Sequence, residues 1–68
     1  MRTTFDKEVD AAYIYMVDNI EKGEAIKTVQ LNENIILDFD KDDKLLGIEI
    51  LNASEILNKE SLLSASSI

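Results

Sequence analysis

Two runs of alternating apolar and polar residues, separated by a charged tip, constrain this chain most strongly. Residues 35–39 place isoleucine, leucine and phenylalanine at every second position, and residues 45–51 do the same with leucine and isoleucine from position 46. Because successive side chains of a strand point to opposite faces, a period of two is typical of strands with one buried face. The tip at residues 41–44 joins the two runs, so they predict a β-hairpin whose outer face carries Asp38 and Glu49.

The residues before this hairpin indicate further strands. Residues 2–5, 11–17 and 24–31 are rich in β-branched, aromatic or alternating side chains, which favour strands. Polar stretches separate them, and Gly23 is the expected position of a positive φ. Lysine, glutamate and alanine are good helix formers, so a helix over residues 6–20 is the alternative for the first two elements.

The C-terminal part predicts a helix over about residues 53–63. Asn52 is a favourable N-cap, and Glu55 stands three residues later, where a capping box requires it. Apolar residues then follow at helical spacing and give one apolar stripe. Residues 64–68 have no pattern and are expected to fray.

Strands followed by a helix predict an α+β fold. We expect one domain over residues 1–68, with an antiparallel β-meander of four to five strands within residues 2–51 and one C-terminal helix packed on one sheet face. A chain of this length buries only about 60 % of its unfolded surface, so its core is small. It has no cysteine for disulfides and neither cysteine nor histidine for a zinc site. Self-association is therefore the expected supplement to the core.

Two segments resemble one known family. Residues 5–14, FDKEVDAAYI, are similar to the opening Tyr-Asp-x-x-x-Asp-x-Leu-Tyr-Ile of a small prokaryotic family, domain of unknown function 2283. Residues 37–40 and 45–54 are similar to the second signature of that family, with Gly-Ile-Glu-Ile-Leu-x-Ala-Ser its more specific part. The resemblance implies a shared fold and no activity, because the family has none assigned. Three residues depart from the family pattern: Phe5, Ala12 and Asp43.

The charge balance excludes one class of partner. Fourteen acidic residues against seven basic ones give a net charge of −7, and the lysines are scattered along the chain. Nucleic-acid binding depends on lysine and arginine neutralising phosphates, so we expect no direct contact with DNA or RNA. No apolar run approaches the length of about 18 residues that spans a membrane, and the N-terminus turns acidic at once. The expected location is the cytoplasm, with no membrane contact.

The acidic tip contains the sharpest metal-binding pattern. Asp38, Asp40, Asp42 and Glu49 match positions one, three, five and twelve of an EF-hand loop. An EF-hand loop is flanked by helices, whereas both flanks here alternate like strands. The favoured interpretation is a solvated hairpin tip that discourages edge aggregation, so we expect no metal and no cofactor.

Catalytic groups are scarce, and apolar residues on the outer face favour a contact surface instead. The chain has no histidine or cysteine, which excludes the usual nucleophilic triads. A chain this small also has few residues with which to line a substrate cleft. We therefore expect no enzyme and assign no catalytic residue. Tyr13, Tyr15 and Ile36 lie opposite the inward row and form a candidate interaction surface.

Three hypotheses follow from these features. The first is a non-enzymatic protein–protein interaction or structural module that forms a homodimer through the second sheet face or an edge strand. The second is an acidic, antitoxin-like partner of a basic protein, which the charge and a gene-neighbourhood analogy suggest. The third is a weak divalent-metal-binding protein or enzyme that uses the acidic hairpin tip.

Overall fold

The computed structural model describes residues 1–68 and consists of one six-stranded sheet and two short helices. The strands are β1 (Arg2–Asp6), β2 (Ala11–Tyr15), β3 (Lys27–Gln30), β4 (Ile35–Phe39), β5 (Leu45–Leu51) and β6 (Ser66–Ser67). The helices are α1 (Ala53–Ile56) and α2 (Lys59–Ser64). The predicted α+β class is confirmed.

The sheet is not the simple antiparallel meander that we predicted. Its strand order is β3-β4-β5-β2-β1-β6, so β5 inserts beside β2 and carries the chain back to the first hairpin. Neighbouring strands are antiparallel except β1 and β6, which are parallel, and the sheet is therefore mixed. The first two elements are strands, which excludes the alternative helix over residues 6–20.

The predicted β4–β5 hairpin is confirmed, together with its two faces. Leu37 pairs with Ile48, and Ile48 pairs with Ile14 of β2, which makes an apolar row on one side of the sheet. Asp38 pairs with Gly47 on the other side. A register shift between Asp38 and the next residue indicates a β-bulge at the end of the hairpin. We call the side of Ile48 the helix face, because both helices pack on it, and the opposite side the outer face.

The predicted single helix is two helices in the structure. Leu57, at the end of α1, has an extended backbone, and Asn58 then caps α2 by accepting a hydrogen bond from the Ser61 amide at 2.8 Å. The predicted capping box at Asn52 is wrong, because Asn52 adopts a left-handed conformation and makes no side-chain cap. The C-terminal residues do not fray either, since residues 66–67 form β6 beside β1.

The core lies between the helices and the middle of the sheet. Ala12, Ile50 and Ala53 form a buried cluster, and half-buried residues of β1, β2, β5 and α2 pack against it. The strands β3 and β4 contribute no residue to this cluster. Only five residues of the chain are buried, and none of them is charged. The helices therefore cover one half of the helix face and leave the β3–β4 half open.

The structure contains no helix with the length and apolar character that crossing a membrane requires.

Candidate functional site

A row of facing residues crosses five strands on the outer face. In direct register it contains Arg2 of β1, Tyr15 of β2, Gly47 of β5, Asp38 of β4 and Thr28 of β3. We call these residues, together with Tyr13, the outer-face ladder. Because cross-strand neighbours are the contacts that stabilise a sheet, the ladder ties together strands that are distant in sequence.

Tyr13 links β2 to β4 across the intervening strand. Its hydroxyl donates a 2.7 Å hydrogen bond to Asp38 Oδ2, while its ring lies directly over Gly47 of β5. A Cβ atom on Gly47 would overlap the Tyr13 ring, so only glycine permits this close approach. Thr28 donates a second hydrogen bond, 2.8 Å long, to the other oxygen of Asp38.

This environment keeps the Tyr13 phenol protonated. Burial, followed by the hydrogen bond to Asp38 and the negative charge of that carboxylate, raises the pKa of Tyr13 well above its ordinary value of 10.0. A phenol held in this form serves as a hydrogen-bond donor, and it cannot readily act as a base or a nucleophile near neutral pH.

Tyr15 continues the ladder towards β1. Its ring centroid lies 4.7 Å from that of Tyr13 with the planes tilted by 55°, a geometry that aromatic pairs favour. The guanidinium of Arg2 lies 3.8 Å from the centre of the Tyr15 ring and also donates a hydrogen bond to the Asp18 carbonyl at 3.2 Å. Sequence reasoning did not identify Arg2, because only the pairing of β1 with β2 brings it over the aromatic ring.

The three residues predicted as an interaction surface share the outer face. Tyr13 and Tyr15 are in contact, whereas Ile36 faces Glu49, which in turn faces Tyr13. All three side chains are half-buried. Their use as a contact surface stays a prediction.

The predicted metal ligands do not converge. Asp38 uses both oxygens for Tyr13 and Thr28, and Asp40 Oδ1 accepts the backbone amides of Asp42 and Lys44 at 2.8 and 3.0 Å. The Asp40 carboxylate therefore shapes the tip in the manner of an Asx turn. Glu49 lies within strand β5, and the structure holds no group of three acidic side chains arranged for a cation.

The two segments that resemble the family contact each other. Asp10, in the β1–β2 turn, accepts hydrogen bonds from the Ser54 amide at 3.0 Å and the Ser54 hydroxyl at 2.7 Å, and its carbonyl accepts the Ala53 amide at 2.9 Å. Asp10 thus caps α1 from 44 residues away. These residues hold the helix on the sheet, which is a structural role.

An exposed apolar region surrounds the edge strand β3. All four residues of β3 are exposed, and the flanking Ile26 and Leu31 are 65 % and 63 % exposed. Val29, at 37 % exposure, faces Leu37, and Phe39 completes the same side of β4. We call this region the β3 surface, and its members are Ile26, Val29, Leu31, Leu37 and Phe39. Sequence reasoning missed it, although residues 25–32 form a stretch without acidic side chains in a strongly acidic chain.

Comparisons with known proteins identify relatives without an assigned role. The chain is 36 % identical over 58 residues to an uncharacterised protein of Methanocaldococcus jannaschii, covering 85 % of this chain and 46 % of that protein. The chain thus spans about half the length of the curated relative it matches. No solved structure matches it. The model of the family described as Protein of unknown function (DUF2283) matches residues 2–54, the region that contains the outer-face ladder and the Asp10–Ser54 contact. The chain belongs to this family.

Proposed function

We propose that the protein is a non-enzymatic protein–protein interaction module that works as a homodimer, with the β3 surface as its contact region. The observation that carries this proposal is the open half of the helix face, where apolar residues of β3 and β4 have no helix over them. Exposed apolar regions of this kind often mark protein contacts.

The accessible surface of the chain supports a missing partner. A compact monomer of 7.7 kDa is expected to expose about 4,300 Å², whereas the structure exposes 4931 Å², about 600 Å² more. The excess reflects a flat shape, 33 × 24 × 18 Å, in which the β3–β4 half of the helix face has no helix over it. A standard dimer interface buries about 800 Å² on each partner, so the excess surface is of the right size for one contact.

The outer-face ladder supports a role without catalysis. Tyr13 and Asp38 combine a proton donor with a carboxylate, yet each is already committed to a hydrogen bond within the sheet. The larger of two grooves, about 640 Å³ in volume, lies on the helix face, with Ile14, Met16 and Ile48 among its lining residues. Its lining contains no acidic residue, and Arg2 is the only charged side chain. A general acid–base site needs such a group within reach of a substrate.

A pair of matched substitutions tests the proposal. Val29→Asp places a charge on the β3 surface, whereas Leu63→Asp places the same charge on α2, at a side chain that is 76 % exposed. We expect size-exclusion chromatography with light scattering to give a dimer mass for the wild type and for Leu63→Asp. The same measurement should give a monomer mass for a folded Val29→Asp variant. A buried unpaired charge at an interface costs several kcal/mol, which is enough to separate two small subunits.

Circular dichroism supplies the control for folding. If Val29→Asp keeps the wild-type spectrum and the wild-type mass, the β3 surface is not the contact region. If the wild type itself is a folded monomer, the homodimer proposal is wrong.

A further inference from the structure

We infer that two copies of this chain join edge to edge through β3, in antiparallel register, with Val29 of each copy on the two-fold axis. The inference rests on the proposed homodimer and specifies its geometry. The resulting assembly is one continuous sheet that contains the six strands of each copy.

The free edge of β3 offers hydrogen-bonding groups in a defined pattern. The Leu31 amide donates to the Ile35 carbonyl of the strand partner at 2.8 Å. In an antiparallel pair alternate residues turn their backbone groups towards the partner, so Val29 shares the direction of Leu31. Thr28 and Gln30 consequently direct their amide and carbonyl groups to the open edge. These are the groups that a second strand would pair with.

The edge lacks two of the common protections against pairing, a proline and a projecting lysine. Natural edge strands are often blocked by proline, by a bulge or by a lysine that projects past the edge. The chain contains no proline. The single lysine of β3, Lys27, turns back towards β4, where its amine lies 3.3 Å from Asp43 and 5.6 Å from the centre of the Phe39 ring.

Charge also favours this edge for self-contact. The chain has a net charge of −7, so two copies repel each other over most of their surfaces. Residues 25–32 contain no acidic side chain, and their one charge is that of Lys27. A contact centred on β3 therefore keeps the acidic parts of the two copies apart.

Hydrogen-bond counting selects one register. When Thr28 faces Gln30 of the second copy, all outward backbone groups of both strands pair, which gives four hydrogen bonds. Registers that place Thr28 against Thr28, or Gln30 against Gln30, leave the carbonyl of the other outward residue without a donor. Further pairs in those registers would need the amides of Ile26 or Asn32, which already donate to Phe39 and Ile35 within the subunit. The selected register places Val29 opposite Val29 on the helix face.

Disulfide trapping tests this register, because the chain has no cysteine of its own. Facing residues in a non-hydrogen-bonded antiparallel pair have Cα atoms about 4.5 Å apart, within the disulfide range of about 4.4–6.8 Å. Val29→Cys should therefore form covalent dimers under mild oxidation. We expect it to do so at least roughly tenfold faster than the exposed control Leu63→Cys, since a facing pair has a high effective concentration.

A second set of cysteine variants tests the register independently of Val29. Thr28→Cys and Gln30→Cys should cross-link poorly as separate variants and efficiently when the two are mixed, because each faces the other. Fast self-linking of Thr28→Cys alone, or a Val29→Cys rate no greater than that of Leu63→Cys, overturns the inferred register. If these variants fail while the wild type sediments as a dimer, only the edge geometry is wrong. If the wild type is monomeric, the proposed function fails as well.

Discussion

At the scale of single residues, the outer face shows how one tyrosine side chain can link two strands that are not neighbours in the sheet. The side chain of Tyr13 projects from β2, its ring lies over Gly47 of β5, and its hydroxyl binds Asp38 of β4. This path requires a glycine in the middle strand and an acceptor in the far one, and the sequence supplies both. The cost of a glycine within a strand, about 0.5–1 kcal/mol relative to alanine, is offset by the contact that it permits.

The first prediction concerns the Tyr13 hydroxyl. Tyr13→Phe removes the hydrogen bond to Asp38 and leaves that half-buried carboxylate with Thr28 as its remaining side-chain partner. We expect the free energy of unfolding to fall by about 1–2 kcal/mol, the range for a hydrogen bond to a charged group at a partly exposed site. Urea unfolding at a fixed chain concentration measures this change.

Tyr15→Phe is the matched control, because the Tyr15 ring contacts Tyr13 and Arg2 while its hydroxyl makes no hydrogen bond within the chain. Its effect should stay within about 0.5 kcal/mol. Equal losses for the two variants would contradict the role assigned to the Tyr13–Asp38 hydrogen bond.

The second prediction concerns pH. The pKa of Tyr13 is higher in the folded chain than the ordinary value of 10.0, so the folded state favours the protonated phenol. Its stabilising effect is fully present below that ordinary value and is lost as the pH rises above it towards the pKa of the folded state. The wild type should therefore lose stability above pH 10.0 more steeply than Tyr13→Phe. Equal losses of stability in the wild type and in Tyr13→Phe over this pH range would contradict this prediction. A change in Tyr13 absorbance near the ordinary pKa of 10.0 while the chain stays folded would contradict it as well.

At the scale of elements, the short helix α1 depends on a residue far away in sequence. Asp10 satisfies the amides of Ala53 and Ser54 and also binds the Ser54 hydroxyl. A helix of four residues has few internal hydrogen bonds, so its stability comes from such caps and from packing. The β1–β2 turn therefore fixes the place where the chain leaves the sheet.

The third prediction tests this cap. Asp10→Ala should lower the free energy of unfolding by about 1–2 kcal/mol, because it removes the side-chain acceptor and leaves alanine in a left-handed conformation. Asp10→Asn keeps an acceptor and tolerates that conformation, so most of the stability should remain. Thermal unfolding followed by circular dichroism compares the two variants.

Glu55→Ala distinguishes this cap from the capping box that the sequence suggested. The structure gives Glu55 no capping contact, and we expect a change within about 0.5 kcal/mol. A large loss for Glu55→Ala with none for Asp10→Ala would reverse the assignment.

Local patterns predicted some elements well and missed others for physical reasons. The β4–β5 hairpin follows from a period of two in adjacent segments, and the structure confirms it. The cap of α1 could not be predicted from the residues next to the helix, because Asp10 and Ser54 are 44 residues apart in the sequence. Strand β6 has no apolar pattern, since two serines pair with β1 through the backbone alone. The Tyr13–Asp38 contact likewise depends on β5 lying between β2 and β4, which alternation cannot specify.

At the scale of the whole molecule, the fold is a flat sheet that the two helices cover on only part of one face. The helices protect Ala12 and Ile50 near the middle of the sheet, whereas Val29 and Leu31 at the β3 edge are open. Natural domains of this size commonly need disulfides, a metal or a partner subunit. Disulfides are excluded by the absence of cysteine. The proposed second copy would meet the same need, because pairing at β3 joins the two open edges and brings Val29 of each copy together.

Sedimentation equilibrium of the unmodified chain, over a range of micromolar concentrations, tests whether the chain forms a homodimer. We expect a mass that rises towards twice the monomer value of 7.7 kDa as the concentration increases. Added salt should strengthen the association, because it screens the repulsion between two chains that each carry a charge of −7. A folded chain that keeps the 7.7 kDa mass at every concentration and salt level would show that the homodimer proposal is wrong.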